Sequence, residues 1–455
     1  MMKKAKLIIW LCGLVFLLSG CQETADSFAN QSKKGTPFDA SKKMAINSML
    51  PNEGGMGTRA IIYGSNLGND TATTHVFIGG KRARVLSSTG NALLCVVPKK
   101  AYSGEVKVSV TSDAGDTIAT CQWDSIFKYS SNMVVSTFLG ETYENNTKYD
   151  VKEGPFNDCG GFPDLRWMCF DPKDPDLLFV AAGKSAFRII DFKNKYVHIL
   201  KTNVVNCSGV NFTLNGDFVL SHDNGNSRAP SIFLFTRESG YSERMELCDA
   251  YSVQNVAVHP KNGKIYYITY HDTWIYSYNL ETGENRQETP LPARAERYLV
   301  WHPSGEWCYM VNKSAHSIWR CDYDEATGTL STPYLVAGRE GSSGWTDGVG
   351  GGARMSKPHQ GVFVKNPAYA GQKDEYDFYY VEEGSHCVRI LTPEGVVTTY
   401  AGRAENKSGY RDGELRKQAQ FNTPTCIAWD EKRNSFYIGD TKNYRIRRIS
   451  PQDEL

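Results

Sequence analysis

Gly344-Trp345-Thr346-Asp347-Gly348 leads to Ala353-Arg354-Met355 and Pro358, and Gly409-Tyr410-Arg411-Asp412-Gly413 leads to Ala419-Gln420-Phe421 and Pro424. An apolar run follows each proline, Val362-Phe363-Val364 in one copy and Ile427-Ala428-Trp429 in the other. A second run comes next, Phe378-Tyr379-Tyr380-Val381 or Phe436-Tyr437-Ile438-Gly439-Asp440. Then come Val388-Arg389-Ile390 and Arg445-Ile446-Arg447-Arg448-Ile449. Short β-branched and aromatic runs divided by turn residues read as strands. Their recurrence in the same order marks an internal repeat, and a repeat of this length indicates an array or propeller.

Degenerate copies lie upstream. Their inner-strand candidates are Trp167-Met168-Cys169-Phe170-Asp171, Gly209-Val210-Asn211-Phe212, Val256-Ala257-Val258-His259-Pro260 and Leu299-Val300-Trp301-His302-Pro303. With the two clear copies they make six, about 40–65 residues apart, which suits blades of about 40–50 residues plus inserts. The pattern resembles the NHL repeat, and the resemblance implies a six-bladed β-propeller over residues 131–455. Val134-Val135-Ser136-Thr137-Phe138-Leu139-Gly140 is similar to Val396-Val397-Thr398-Thr399-Tyr400-Ala401-Gly402, the outer strand after the fifth copy. The sixth copy stops at Ile449 with few residues left. Residues 134–139 are therefore expected to complete the last blade, removing the open edge of a linear array. His259 and His302 recur at the end of an inner strand, and His316 and His386 occupy the NHL pattern's own histidine position. All four read as structural.

Residues 37–130 carry alternating strand-like runs, among them Ala60-Ile61-Ile62-Tyr63, Thr74-His75-Val76-Phe77-Ile78 and Val106-Lys107-Val108-Ser109-Val110. Gly64, Gly79-Gly80 and Gly115 punctuate them, as expected of a β-sandwich. The opening Asn47-Ser48-Met49-Leu50-Pro51-Asn52-Glu53-Gly54, then Tyr63-Gly64-Ser65-Asn66-Leu67-Gly68, Val97-Pro98 and Val108-Ser109-Val110-Thr111-Ser112 resemble the IPT/TIG domain, an immunoglobulin-like fold. The expected fold class is thus all-β, an immunoglobulin-like (IPT/TIG) β-sandwich followed by a six-bladed NHL-like propeller.

Residues 1–20 combine Lys3, Lys4 and Lys6 with an apolar run from Leu7 to Leu18. This is the pattern of a secretory signal, too short to span a bilayer. Leu18-Ser19-Gly20-Cys21 resembles the bacterial lipobox, which implies lipidation of Cys21. Residues 21–36 are small and polar and read as a lipidated flexible tether. The formal charge is +1, and no block of like charge stands out, which argues against nucleic acid as a partner. The chain has 12 cysteines. Those after Cys21 form no CxxC pair and fit buried small residues better than a zinc framework. Cys308 and Cys321 lie on runs joined by a short loop and could face each other.

In a propeller, one face collects the loops that enter the inner strands and those that join second and third strands. The residues placed there as ligand-binding are Arg166, His222, Arg228, His271, Trp274, Arg297, Tyr298, Trp345 and His359, with Asp223, Gln254, Asp272 and Gln360 beside them. Aromatic rings stack on sugar faces, while Arg, His and Gln donate and accept hydrogen bonds. A histidine metal site across His222, His271 and His359 would require convergence that spacing alone does not establish. Glu153-Gly154-Pro155 resembles the start of gluconolactonase-type propellers but lacks matching partners and reads as a turn. No GxSxG elbow is present, and Glu382-Glu383 reads as a solvated acidic pair in a loop. No catalytic residue, metal or cofactor is assigned.

Lipid, sandwich and propeller together resemble lipoproteins of Gram-negative glycan-uptake systems. The resemblance implies an outer-membrane, lipid-anchored, cell-surface protein that captures a glycan for a partner transporter and companion lipoproteins. The alternatives are a propeller enzyme, either a metal-dependent lactonase or a polysaccharide lyase, and a protein-interaction platform. On this reading Trp274→Ala and Trp345→Ala weaken glycan binding without loss of fold. Unchanged affinity in both variants would remove these two residues from the site.

Overall fold

The computed structural model describes residues 35–130, 132–140, 150–225, 228–402 and 407–452. Cys21 and the tether lie outside them. The chain divides into a compact unit that runs to Asn132 and a second one, Met133–Ser450. Within the described residues, strands dominate both units and the only helices are three-residue 3-10 turns.

The first unit is a β-sandwich with strand order Ala45–Leu50, Arg59–Ser65, Ala92–Val96, Lys81–Ser88, Thr74–Ile78, Gly104–Thr111, Thr117–Tyr129. Lys81–Ser88 serves both layers. Its first residues pair with Thr74–Ile78 and its last with Ala92–Val96. Alternation places Ile62, Val76, Ile78, Leu93, Cys95, Val106, Val108 and Phe127 in a fully buried core. Burying such side chains contributes roughly 1.5–3 kcal/mol each before the ordering cost is subtracted. Gly79, at φ +52°, turns the chain where an added Cβ would lie 1.7 Å from the Ala101 carbonyl oxygen, so only glycine fits there.

The second unit is a ring of six antiparallel sheets. Their inner strands are Leu165–Phe170, Cys207–Phe212, Val253–Val258, Arg297–Trp301, Pro358–Lys365 and Pro424–Asp430. Each packs against the next, and the last packs against the first. Met133–Leu139 is the outer strand of the sixth blade, hydrogen-bonded beside Arg445–Pro451, so the ring closes with strands from both ends of the domain. Gly140 and Gly402 follow their outer strands at φ +109° and +110°, as the likeness of the two segments requires.

Three blades carry a fifth, two-residue strand on the outer edge: Gly154–Pro155, Gly348–Val349 and Gly413–Glu414. A buried arginine on the third strand organises this feature. Arg389 donates to Glu382 at 3.0 Å, to Asp347 at 2.9 Å and to the Arg354 and Thr346 carbonyls. Arg447 donates to Asp440 at 2.8 Å, to Asp412 and to the Gln420 and Arg411 carbonyls. Asp347 and Asp412 in turn accept the backbone N–H of Thr399 and Thr137 on the outer strands. In the first blade, Glu153 accepts the Ile199 N–H at 3.0 Å. Glu153-Gly154-Pro155 is therefore a third, degenerate copy of the Asp-Gly edge strand and not a simple turn. Its arginine, Arg188, donates to the Cys159 and Gly161 carbonyls. The second strand of that blade ends on Ala182 where the others have a carboxylate, and burial pulls Arg188 down to about 10.

The histidines set aside as structural behave so. His316 and His386 sit at φ +59° and +52°, and their Nδ1 atoms accept the Lys357 and Thr423 N–H groups just before the next inner strand. His259 Nε2 meets the Gly305 carbonyl, and His302 meets Ser304 and Asp374. Cys308 and Cys321 are directly opposed on paired strands, both buried and both free thiols.

Removing one partner of a buried ion pair strands the other charge and costs about 3–5 kcal/mol. Arg447→Met is therefore expected to lower the unfolding free energy by about that much in urea titration, with part restored by adding Asp440→Asn. Arg188→Met, which strands no carboxylate of that position, should cost less.

Candidate functional site

Five of the six inner strands carry a β-bulge at the end where the chain enters them. The extra residues are Arg166, Ser208, Gln254, one of the pair His359–Gln360, and Thr425. The fourth inner strand pairs in regular register and presents Tyr298 instead. A bulge leaves one residue unpaired and re-aims its side chain. Here it brings polar side chains to one end of the central channel, on inner strands that otherwise read as apolar.

At that end lies a cavity of about 380 Å3, lined by Asp164, Arg166, Lys313, His359, Glu383, Thr425, Lys442 and Tyr444 among others. Two of its cations, Arg166 and Lys313, are paired with carboxylates. Arg166 pairs with Asp164 at 3.2 Å, and Lys313 bridges Glu383 at 2.7 Å and Glu296 at 3.2 Å. Beneath them His359 Nε2 meets the Tyr298 hydroxyl at 2.9 Å, and that hydroxyl also reaches Glu296 at 3.3 Å. Tyr298 packs on Trp167, with ring centroids 5.8 Å apart. Burial, with Lys313 and Arg166 nearby, holds His359 well below the usual histidine range, so the imidazole is neutral. Burial raises Tyr298 far above the usual tyrosine range.

Gln360 closes the channel behind the cavity. Its amide donates to the Met168 carbonyl at 2.6 Å and accepts the Met168 and Ile427 N–H groups, binding blades five, six and one together. Beyond it the opposite mouth is a cavity of about 360 Å3, lined largely by apolar and aromatic side chains including Trp167, Trp301, Phe363 and Trp429. The polar mouth is thus the end suited to a hydroxylated ligand.

The sequence-predicted residues divide among several places. Arg166, Tyr298 and His359 meet at the channel mouth. His271 and Asp272 line a second cavity on the polar face, of about 240 Å3, with Tyr251 and Arg294. Trp274, half-buried, begins the third strand of that same blade. Arg297 is buried and donates to the Ala293 carbonyl at 2.6 Å. His222 is half-buried at the end of a second strand, near Phe233, and Arg228 is exposed in the following loop. Neither lines the channel mouth. Trp345 sits in the loop that Asp347 ties to an outer strand, with Arg416 over its ring at 5.7 Å. The hydroxyl of its counterpart Tyr410 hydrogen-bonds Thr137 on an outer strand. His222, His271 and His359 do not converge, and among the described residues no group of three or more His, Cys, Asp or Glu is placed to hold a metal.

The Glu382-Glu383 expectation needs correction. Glu382 is fully buried against Arg389, and Glu383 lines the cavity in an ion pair with Lys313. Sequence reading missed Lys313 and Asp164 and left Glu383 in solvent. The signal was present in the alignment of the repeats: Lys313 and Glu383 each follow a second strand, and Asp164 precedes an inner strand as Lys357 and Thr423 do.

The IPT/TIG domain family matches residues 44–122. An auxiliary nutrient binding protein from Bacteroides ovatus is 49% identical, with 92% of this chain and 100% of that one covered at a TM-score of 0.86. An auxiliary nutrient binding protein from Bacteroides thetaiotaomicron is 42% identical, with 91% and 99% covered at a TM-score of 0.71. A protein described as a putative phosphatase, from the same species, is 30% identical, with 91% and 98% covered at 0.68. No curated protein matches.

The partly and fully buried histidines predict an acid limit. Burial lowers His259, His316, His359 and His386 below the ordinary value. As pH falls through about 6.5, the unfolded chain takes up protons that the folded chain refuses, so stability drops from there downward. Chemical denaturation at mildly acid pH should show a lower midpoint than at neutral pH, and His359→Gln should reduce the difference. A midpoint that does not move with pH would contradict this assignment.

Proposed function

This chain belongs to the family of the two Bacteroides auxiliary nutrient binding proteins, and from that premise we propose that it is a glycan-binding lipoprotein of the outer membrane. Lipid on Cys21 anchors it, residues 37–130 act as a spacer, and the propeller captures an oligosaccharide or polysaccharide at the cell surface for a transporter and companion lipoproteins. No helix of the described residues is long and apolar enough to cross a membrane, and in this reading the lipid is the anchor.

The observation that carries the reading is the polar channel mouth. Arg166 and Lys313 are paired with Asp164, Glu296 and Glu383, and with Lys442 at the wall three cations face three carboxylates, so the mouth has little net charge to attract an ion. What it offers is a dense set of donors and acceptors in fixed positions, with the hydroxyls of Thr423, Thr425 and Thr441 beside them. That set suits the hydroxyl groups of a neutral sugar. Ligand pockets of this size order bury most of a small ligand and use a few placed polar groups for orientation. The relatives' description as nutrient binding proteins agrees with capture followed by release.

Titration of the detergent-solubilised full-length protein against a polysaccharide panel tests this. At least one neutral glycan should bind without shortening, and Arg166→Ala or Glu383→Ala should weaken it on the order of tenfold, about 1.4 kcal/mol. Silence across the panel, or affinity untouched in both variants, would sink the reading. For the anchor, Cys21→Ser should abolish fatty-acid labelling and release the protein from the membrane fraction. Retention of label would place the lipid elsewhere.

A further inference from the structure

We infer that the second cavity, on the third blade, is a separate sugar-binding subsite, and that the ligand is a chain long enough to occupy it and the channel mouth together. This rests on the glycan-binding reading above and adds to it a requirement for length. Both cavities belong to one face of the propeller. Tyr251 precedes the third inner strand and Arg294 the fourth, while His271 and Asp272 join the second and third strands of the third blade. Asp164 and Thr423, which line the channel mouth, also precede inner strands, and Lys313 and Glu383 also follow second strands. An exposed face with two recesses fits a polymer better than a single small sugar.

The second cavity is built rather than accidental. One asparagine fixes its aromatic wall. Asn224 donates to the Ala250 carbonyl at 3.0 Å and accepts the Ser252 N–H at 2.8 Å, pinning the backbone on both sides of Tyr251. The Tyr270 N–H donates to the Ser252 carbonyl at 3.0 Å, joining the neighbouring loop to it. His271 is then held between two tyrosine rings, with centroids 6.3 Å from Tyr251 and 5.3 Å from Tyr270. Asp272 accepts the Tyr276 hydroxyl at 3.3 Å, and its N–H donates to Thr269 at 3.0 Å. Arg294 is exposed at the rim.

A ring platform with a fixed carboxylate, an imidazole and a guanidinium around it has the parts a pyranose needs: an apolar surface for the sugar face and donors and acceptors for its hydroxyls. Asp272, which accepts the Tyr276 hydroxyl, and the Tyr251 backbone, pinned by Asn224 on both sides, lose little freedom when a ligand arrives. Two such sites on one chain-like ligand act as linked modules. Occupying the first raises the effective concentration at the second, so affinity climbs once the ligand can span both.

The test uses size-fractionated ladders of xylan, galactomannan and dextran, titrated into the detergent-solubilised full-length protein by calorimetry. For a ladder that binds, affinity should rise by at least on the order of tenfold between the disaccharide and the longest fraction. His271→Ala and Arg294→Ala should each remove most of that gain, with thermal melts matching the parent protein. Binding that persists but does not change with length, or a gain that survives both variants, overturns the second subsite and leaves the channel-mouth reading standing. Absence of binding by every ladder at every length overturns both.

Discussion

The outer strand of the sixth blade comes from Met133–Leu139, at the start of the domain, while the three strands inside it come from the end. The ring therefore exists only while the two ends are hydrogen-bonded, and every loop on its faces takes its position from that closure. Bonds between neighbouring inner strands reinforce it. Asn255 holds both the carbonyl and the N–H of Leu299, Ser208 reaches the Val253 carbonyl, and Thr425 reaches the Leu165 carbonyl. Gln360 then ties the fifth blade to the first. A ring of blades closed in this way has no unpaired end blade, only short outer edges, and the polar residues at its mouth are held without help from a ligand.

Rigidity of the ring and character of the site are connected through the buried arginines. Arg389 fixes Glu382, and the next residue, Glu383, is thereby presented to Lys313 at the cavity wall. The same carboxylate position that completes the repeat thus sits beside one that serves the site. Pairing Arg166 and Lys313 with carboxylates costs less than burying lone charges, and it leaves a surface that recognises by hydrogen-bond pattern rather than by field.

The periodic parts of this architecture were legible in the sequence. Strand runs, six inner strands, the closing outer strand and the structural histidines all follow from a pattern that repeats, because blade packing imposes the same constraint each time. The site was only partly legible, because it breaks the pattern. A bulge adds one residue to an inner strand and looks in sequence like any other residue, so Thr425 and Ser208 passed unnoticed while Arg166 and His359 stood out by type. Trp345 drew attention as an aromatic in a loop, and its place in the repeat, shared with Tyr410, is in the loop that Asp347 ties to an outer strand. Glu153 was read in isolation, and only the edge-strand pairing with Ile199 reveals it as the worn copy of Asp347 and Asp412. Lys313 and Glu383 come from different blades, and no local window brings them together.

The central claim is that ligand sits at the polar mouth of the channel. Hydrogen exchange of the full-length protein, with and without a binding glycan, reads that location directly. The account predicts slowed exchange in the segments around Asp164–Arg166, Lys313, Glu383 and Thr441–Tyr444, with no change around Trp429 at the opposite mouth. Protection confined to the opposite mouth or to the sandwich would contradict it.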